Sequence, residues 1–229
     1  MGRGYVAGVI DVTTDGAVTV VRMDDEENRF SPDMLAALEG ALASLEAAEG
    51  PRALVTTGTG KFWSNGLDLD WMGANPDELV PYIGRIQALF ARVLVLPCPT
   101  VAALNGHCFA AGAMLSLCHD AVVMRDDRGY WCLPEVDLSM PFTPGMNALI
   151  PSRLPARTAH EAMVTGRRYP ASEAHAAGIV DEVAAEADVV PRAVARAQAL
   201  AHQAGPNLGG IRAHLHAEAV ALLRGEERA

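Results

Sequence analysis

The stretch from Pro97 to Pro141 constrains the fold more than any other part of the chain. Thr100 to Leu104 is an apolar strand candidate set behind two prolines, and Asn105-Gly106 turns it. Phe109-Ala110-Ala111-Gly112-Ala113-Met114 then opens the helix Ala111 to Leu117 in small residues, and strands near Ala121 to Met124 and Gly129 to Leu133 follow. Strand, helix and strand in that order need crossover connections, so the strands pair in parallel with the right-handed sense. A helix that begins in small side chains leaves its first backbone N–H groups open to a ligand, at the positive end of the helix dipole. Such a place suits an oxygen that becomes negative.

The same stretch ends on Glu135, one carboxylate inside the apolar, proline-braced turn Trp131-Cys132-Leu133-Pro134-Glu135-Val136. Partial desolvation there raises a carboxyl pKa toward the range useful for moving protons. The residues alone leave open the other reading, a turn carboxylate that faces water.

The 229 residues, half of them apolar, suffice for one α/β domain, or for one domain with a small helical appendage. A formal net charge of −10, with no Lys/Arg cluster, argues against nucleic acid as a partner. No run approaches the roughly 18 apolar residues of a membrane span. Met1-Gly2-Arg3-Gly4 lacks the apolar core of a secretory signal, so a cytoplasmic, membrane-free protein is expected. Cys98, Cys108, Cys118 and Cys132 form no C-x-x-C pair and read as buried free thiols. The seven histidines have no ligand spacing, so no metal is expected.

In chain order, Tyr5 to Val12 and Ala17 to Arg22 read as a hairpin around Thr14-Asp15-Gly16. Ser31-Pro32-Asp33 starts a helix with apolar positions at Met34, Leu35, Leu38, Leu42 and Leu45. Strand Ala53 to Thr57 delivers a glycine-rich loop. Asn75-Pro76 is expected to cap a helix along Leu79, Ile83, Ile86, Leu89, Phe90 and Val93. Past Pro141 the spacing predicts helices at Gly145 to Pro151, Pro155 to Thr165, Ser172 to Ala177, Val189 to Ala204 and Pro206 to Arg224, the last burying Leu215, Ala219, Leu222 and Leu223.

Two tempting motifs fail. Gly58-Thr59-Gly60-Lys61 is followed by Phe62 where a phosphate loop needs Ser or Thr, and the same Phe62 breaks a G-x-S-x-G elbow around Ser64.

The loop Gly60-Lys61-Phe62-Trp63-Ser64-Asn65-Gly66-Leu67-Asp68-Leu69, the turn Pro97-Cys98-Pro99-Thr100-Val101-Ala102-Ala103-Leu104-Asn105-Gly106, the pair His119-Asp120 and the dipeptide Pro134-Glu135 occur in order and at family spacing. Together they resemble the enoyl-CoA hydratase/isomerase family, the crotonase superfamily, over nearly the whole chain. Leu104-Asn105-Gly106-His107 and Glu135-Val136-Asp137 look most like the peroxisomal-type enoyl-CoA delta isomerases, although Glu226-Glu227-Arg228-Ala229 is no peroxisomal address. The resemblance implies an α/β fold, a crotonase-like spiral of ββα units over residues 1–150. A helical region over 151–229 would make trimer or hexamer contacts and cover an acyl-CoA site.

By the same resemblance Glu135 is the catalytic acid and base, and the backbone N–H groups of Leu67 and Ala111 form an oxyanion hole. Ser64, Asn65, Gly66, Asp68, Lys61 and Arg22 are candidates for the CoA side, Lys61 and Arg22 reading equally well as solvated charges. Trp63, Trp71, Met114, Trp131 and Phe142 are candidates for an acyl pocket or for ordinary core. No separate cofactor is implied, since coenzyme A is part of the substrate. Hydratases of the family carry a further glutamate where this chain has Met114, which favours moving a double bond over adding water. A hydratase recruiting Asp137, and a catalytically idle CoA-ester binder, are the other readings.

Overall fold

The computed structural model describes residues 8–226. The expected strand start at Tyr5 and the readings of Met1-Gly2-Arg3-Gly4 and of Glu227-Arg228-Ala229 lie outside the described residues.

Strands β1 (Ile10–Asp15) and β2 (Val18–Met23) pair antiparallel, turned by Gly16 at φ +59°. Helix α1 (Pro32–Ala47) starts as its sequence dictates, with the Ser31 hydroxyl accepting the Met34 N–H and Pro32 in the first turn. Strand β3 (Ala53–Gly58) leads to the short β4 (Phe62–Ser64) and to a helix the periodicity did not announce, α2 (Leu69–Ala74). The Asp68 carboxylate caps α2 by accepting the Trp71 N–H at 3.1 Å. Asn75 does not cap the next helix; its amide donates to the Trp71 carbonyl at 2.8 Å, and a 3₁₀ turn, Pro76–Glu78, leads into α3 (Leu79–Leu94).

Strand β5 (Thr100–Leu104) and helix α4 (Ala111–Leu117) lie where expected, with an unforeseen strand β6 (His107–Phe109) between them. After β7 (Ala121–Arg125) and the two-residue β8 (Trp131–Cys132), a 3₁₀ turn, Pro134–Val136, holds Glu135. The remainder is α5 (Pro144–Arg153), α6 (Ala156–Thr165), α7 (Ala171–Ala176), β9 (Glu182–Ala184), α8 (Val189–Leu200), α9 (Pro206–Leu215) and α10 (Ala217–Leu223).

The main sheet has the order β1-β2-β3-β5-β7-β9, parallel from β2 onward. Alternate residues serve its two faces. Val20, Val55, Val101 and Val123 meet Ala193 and Ala197 of α8 on one side, while Val21, Leu54, Ala102 and Val122 join the larger core with α1 and α3. Both faces are covered, which is why β5 and β7 are buried along their whole length and β3 from Ala53 to Thr57. The segment past residue 150 is therefore not only helical: β9 completes the sheet edge and α8 covers one face. Leu215 departs from the expected buried stripe at 71 % exposure. The helix breaks at His216 (φ −110°, ψ 19°), so α9 and α10 do not share one apolar side.

The smaller sheet, β4-β6-β8, is parallel and sets the site. Its three strands end at the same edge, so the loops after them converge. Those loops carry Leu67, Ala111 and Glu135. Among the described residues no helix is long and apolar enough to cross a membrane.

Candidate active site

The first loop leaves β4 through Ser64, whose buried hydroxyl donates to the Asn28 carbonyl at 2.7 Å and accepts the Gly66 N–H at 3.2 Å. The Gly66 carbonyl accepts the Phe30 N–H at 2.8 Å. A trans peptide aims its C=O and N–H in opposite directions, so the Leu67 N–H points away from Phe30. That direction is open, and Leu67 lines a cavity there.

The second loop leaves β6 and starts α4. Ala110 precedes it at φ +50°, ψ −124°, a backbone state that costs a non-glycine residue about 1–3 kcal/mol. The Ala110 carbonyl accepts the Met114 N–H at 3.1 Å, leaving the Ala111 N–H as a free end of the helix. Among the described residues, neither the Leu67 N–H nor the Ala111 N–H donates to a protein acceptor. The loops touch here: a Cβ on Gly66, which sits at φ +85°, would lie 2.9 Å from the Ala111 nitrogen.

The third loop supplies the carboxylate. Leu138 and Asp137 N–H groups donate to the Pro134 carbonyl, and the Met140 N–H to the Glu135 carbonyl, so the chain wraps closely around Glu135. Its side chain is buried, and Oε2 has no hydrogen-bond partner. Burial pushes its pKa up to about 7, against a smaller opposing effect of its own backbone N–H.

Glu135, Leu67 and Ala111 share a cavity of about 230 Å³ whose other walls include Met72, Met114, Met140 and Met146. Leu69 and Leu138, each close to half exposed, stand at its rim. Two further polar side chains reach it. The Asn65 amide is committed to Glu27 at 2.9 Å, and the Thr143 hydroxyl donates to Gln87 at 2.7 Å while accepting the Met146 N–H. A buried carboxyl, two free amide donors and apolar walls can remove a proton, hold the resulting oxyanion and return the proton.

Of the expected site residues, the structure brings together Glu135, Leu67, Ala111, Met114 and Asn65 around this cavity. Ser64 and Gly66 lie behind it as supports, and Asp68 caps α2. Lys61 is exposed with its ammonium 5.3 Å from the Phe62 ring, and Arg22 is exposed on β2; neither lines the cavity. The tryptophans depart from the acyl-pocket expectation. Trp131 is fully buried with its indole N–H on the Ser116 hydroxyl at 3.1 Å, because the two-residue strand β8 turns it toward the core. Trp63 points the same way, to the Thr56 carbonyl. Trp71 packs on Tyr82 with ring centroids 4.8 Å apart, and Phe142 is half-buried against the core. Asp137 is exposed beside Gly166, outside the cavity. His119 is buried between Thr56 and the Leu115 carbonyl, and burial lowers its pKa to about 4.

Of the methionine wall the sequence pointed only to Met114; Met72, Met140, Met146 and Tyr82 were not singled out. Met72 and Met140 lie outside any periodic run, and Tyr82 is hidden in the apolar pattern of α3.

The profile of the Enoyl-CoA hydratase/isomerase family matches residues 13–226. Enoyl-CoA delta isomerase 2, peroxisomal, of Arabidopsis thaliana is 36% identical over 220 residues, covering 89% of this chain and 90% of the relative. Enoyl-CoA delta isomerase 3 of the same plant is 38% identical over 167 residues, 70% of each chain. Among solved structures, an enoyl-CoA hydratase of Mycobacterium marinum superposes with a TM-score of 0.84 at 28% identity, covering 96% of both chains.

Proposed function

The chain belongs to the enoyl-CoA hydratase/isomerase family, and from that footing we propose that it is an enoyl-CoA delta isomerase that moves a 3-enoyl-CoA double bond to the 2-position. The observation that carries this reading is one buried carboxyl, Glu135, whose Oε2 has no hydrogen-bond partner and which shares a cavity with two free backbone donors and, among the described residues, with no second carboxylate.

The thioester carbonyl oxygen lies between the Leu67 and Ala111 N–H groups. The Glu135 carboxylate takes a proton from C2, and the C2–H electron pair moves into the carbonyl to give a dienolate. The two donors meet the charge that develops on oxygen, and a single donor of this kind is worth about 3 kcal/mol in the transition state. Collapse of the dienolate forms the C2–C3 double bond as C4 takes the proton back from Glu135. Nothing is consumed, so one carboxyl that is easily both charged and neutral near pH 7 suffices.

Adding water needs a group to hold and deprotonate that water. Met114 offers none, and Asp137 faces outward. The apolar walls suit the acyl chain, and soft methionine side chains adapt to its shape. The proposal includes a homotrimer or a dimer of trimers, and Ile211 and Leu215, exposed on α9, are apolar side chains that contact with a second copy would cover.

Mass analysis of the products from trans-3-hexenoyl-CoA tests the assignment. The expected product has unchanged mass and the retention of the 2-enoyl isomer. Direct gain of one water from the 2-enoyl thioester as the dominant reaction would move the assignment to a hydratase.

A further inference from the structure

We infer that Tyr82 is a positioning residue that fixes the direction of the Leu67 N–H. The inference rests on the proposed role of that N–H in holding a dienolate oxygen.

Leu67 lies between two peptide groups, and both are anchored to Phe30. On one side the Gly66 carbonyl accepts the Phe30 N–H at 2.8 Å. On the other the Asp68 N–H donates to the Tyr82 hydroxyl at 3.0 Å, and that hydroxyl donates to the Phe30 carbonyl at 2.8 Å. The tyrosine oxygen thus closes a ring of hydrogen bonds around the residue whose N–H must be aimed. Among the described residues no other side chain bonds both the Asp68 N–H and the Phe30 carbonyl.

The tyrosine itself is held. It is 4% exposed on α3, and its ring packs at a 40° tilt against Trp71. Trp71 is placed in turn by the Asp68 cap of α2. Burial raises the Tyr82 pKa to about 12, so the hydroxyl keeps the proton it donates to Phe30. An aromatic ring at this point would satisfy packing alone. The hydroxyl adds one bond from the Asp68 N–H, in the loop of the oxyanion donor, and one to the Phe30 carbonyl that holds the hydroxyl in place, and an Asp68 N–H left without its acceptor would turn the Leu67–Asp68 peptide toward water.

The test is Tyr82→Phe, which keeps the ring and removes the oxygen. Three quantities are measured: kcat and KM with a 3-enoyl-CoA, the apparent pKa of bound acetoacetyl-CoA from its enolate absorbance, and Tm. Phe90→Leu, a core substitution further along α3, serves as the control for lost stability. The expected result for Tyr82→Phe is a kcat lower by about tenfold, since a misaimed donor forfeits part of its worth. KM stays within about twofold, and the pKa of the bound enolate rises by about one, the same tenfold effect. Phe90→Leu lowers Tm and leaves the enolate pKa in place. An unchanged kcat and enolate pKa in Tyr82→Phe, or an equal rise in Phe90→Leu, would overturn the inference. A wild type that forms the bound enolate but isomerises no 3-enoyl-CoA would count against the proposed function alone, because the enolate titration still judges Tyr82.

Discussion

A buried carboxyl with one oxygen, Oε2, left without a hydrogen-bond partner is costly to ionise, and Glu135 is kept in that condition by the same loop that delivers it. Its pKa of about 7 follows from burial and not from a like-charged neighbour. The value of kcat/KM should therefore rise with pH through about 7 and level off above it, as the base form of the free enzyme is populated. Initial rates at subsaturating substrate check this, and a flat profile would mean that another group governs the proton. Stability follows with the opposite sense. The folded pKa is raised above the ordinary 4.5, so Glu135 stabilises the fold fully below that pH, and the contribution is lost as pH rises through about 7. Urea unfolding should find Glu135→Gln more stable than wild type by about 2 kcal/mol at alkaline pH, with the difference shrinking toward pH 4. The apolar, proline-braced neighbours of Glu135 offered desolvation as one reading beside a turn carboxylate facing water, and the structure has it buried. The orientation of Trp131, four residues earlier, was not legible in the sequence, because a two-residue strand has no periodicity from which to read a face.

Among the elements, the three short parallel strands of the small sheet matter most to the site, and they were the least visible in the sequence. Strand β5 and helix α4 were read to the residue because each is a continuous apolar or small-residue run with a clear punctuation mark at its ends. Strand β6 is three residues long, and α2 begins on a side-chain cap with no buried position of its own. What the small sheet achieves is contact between loops, and Gly66 is where that contact is closest. Gly66→Ala would place a methyl 2.9 Å from the Ala111 nitrogen, in a backbone state at φ +85° that alanine resists. Both donors would shift. The expected outcome is a loss of at least about 100-fold in kcat, the scale of one lost oxyanion donor, with the far-ultraviolet circular dichroism unchanged. Retained kcat in a folded Gly66→Ala variant would show that the donors do not act at this junction.

At the scale of the whole molecule, the sequence disclosed an α/β core followed by helices but not how the end of the chain returns. Strand β9 joins the sheet edge, and Arg212 of α9, buried at 6% exposure, pairs with Asp120 and donates to the Leu96 and Cys98 carbonyls at the entrance to β5. Such contacts cross 92 residues or more of sequence, and no local spacing announces them. Arg212→Ala should lower stability by about 2 kcal/mol, measured by denaturant unfolding, since it leaves the two buried carbonyls of Leu96 and Cys98 without this donor, while Asp120 still accepts from Thr100. A change below about 0.5 kcal/mol would place this contact among the weak surface pairs. The proposed isomerisation depends on one carboxyl, Glu135, making both proton transfers. It is tested most directly by following the absorbance of the conjugated 2-enoyl thioester as wild type and Glu135→Gln act on trans-3-hexenoyl-CoA. The expected result is a rise with wild type and a rate at least about 1,000-fold lower with Glu135→Gln. A comparable rise with both proteins would contradict it.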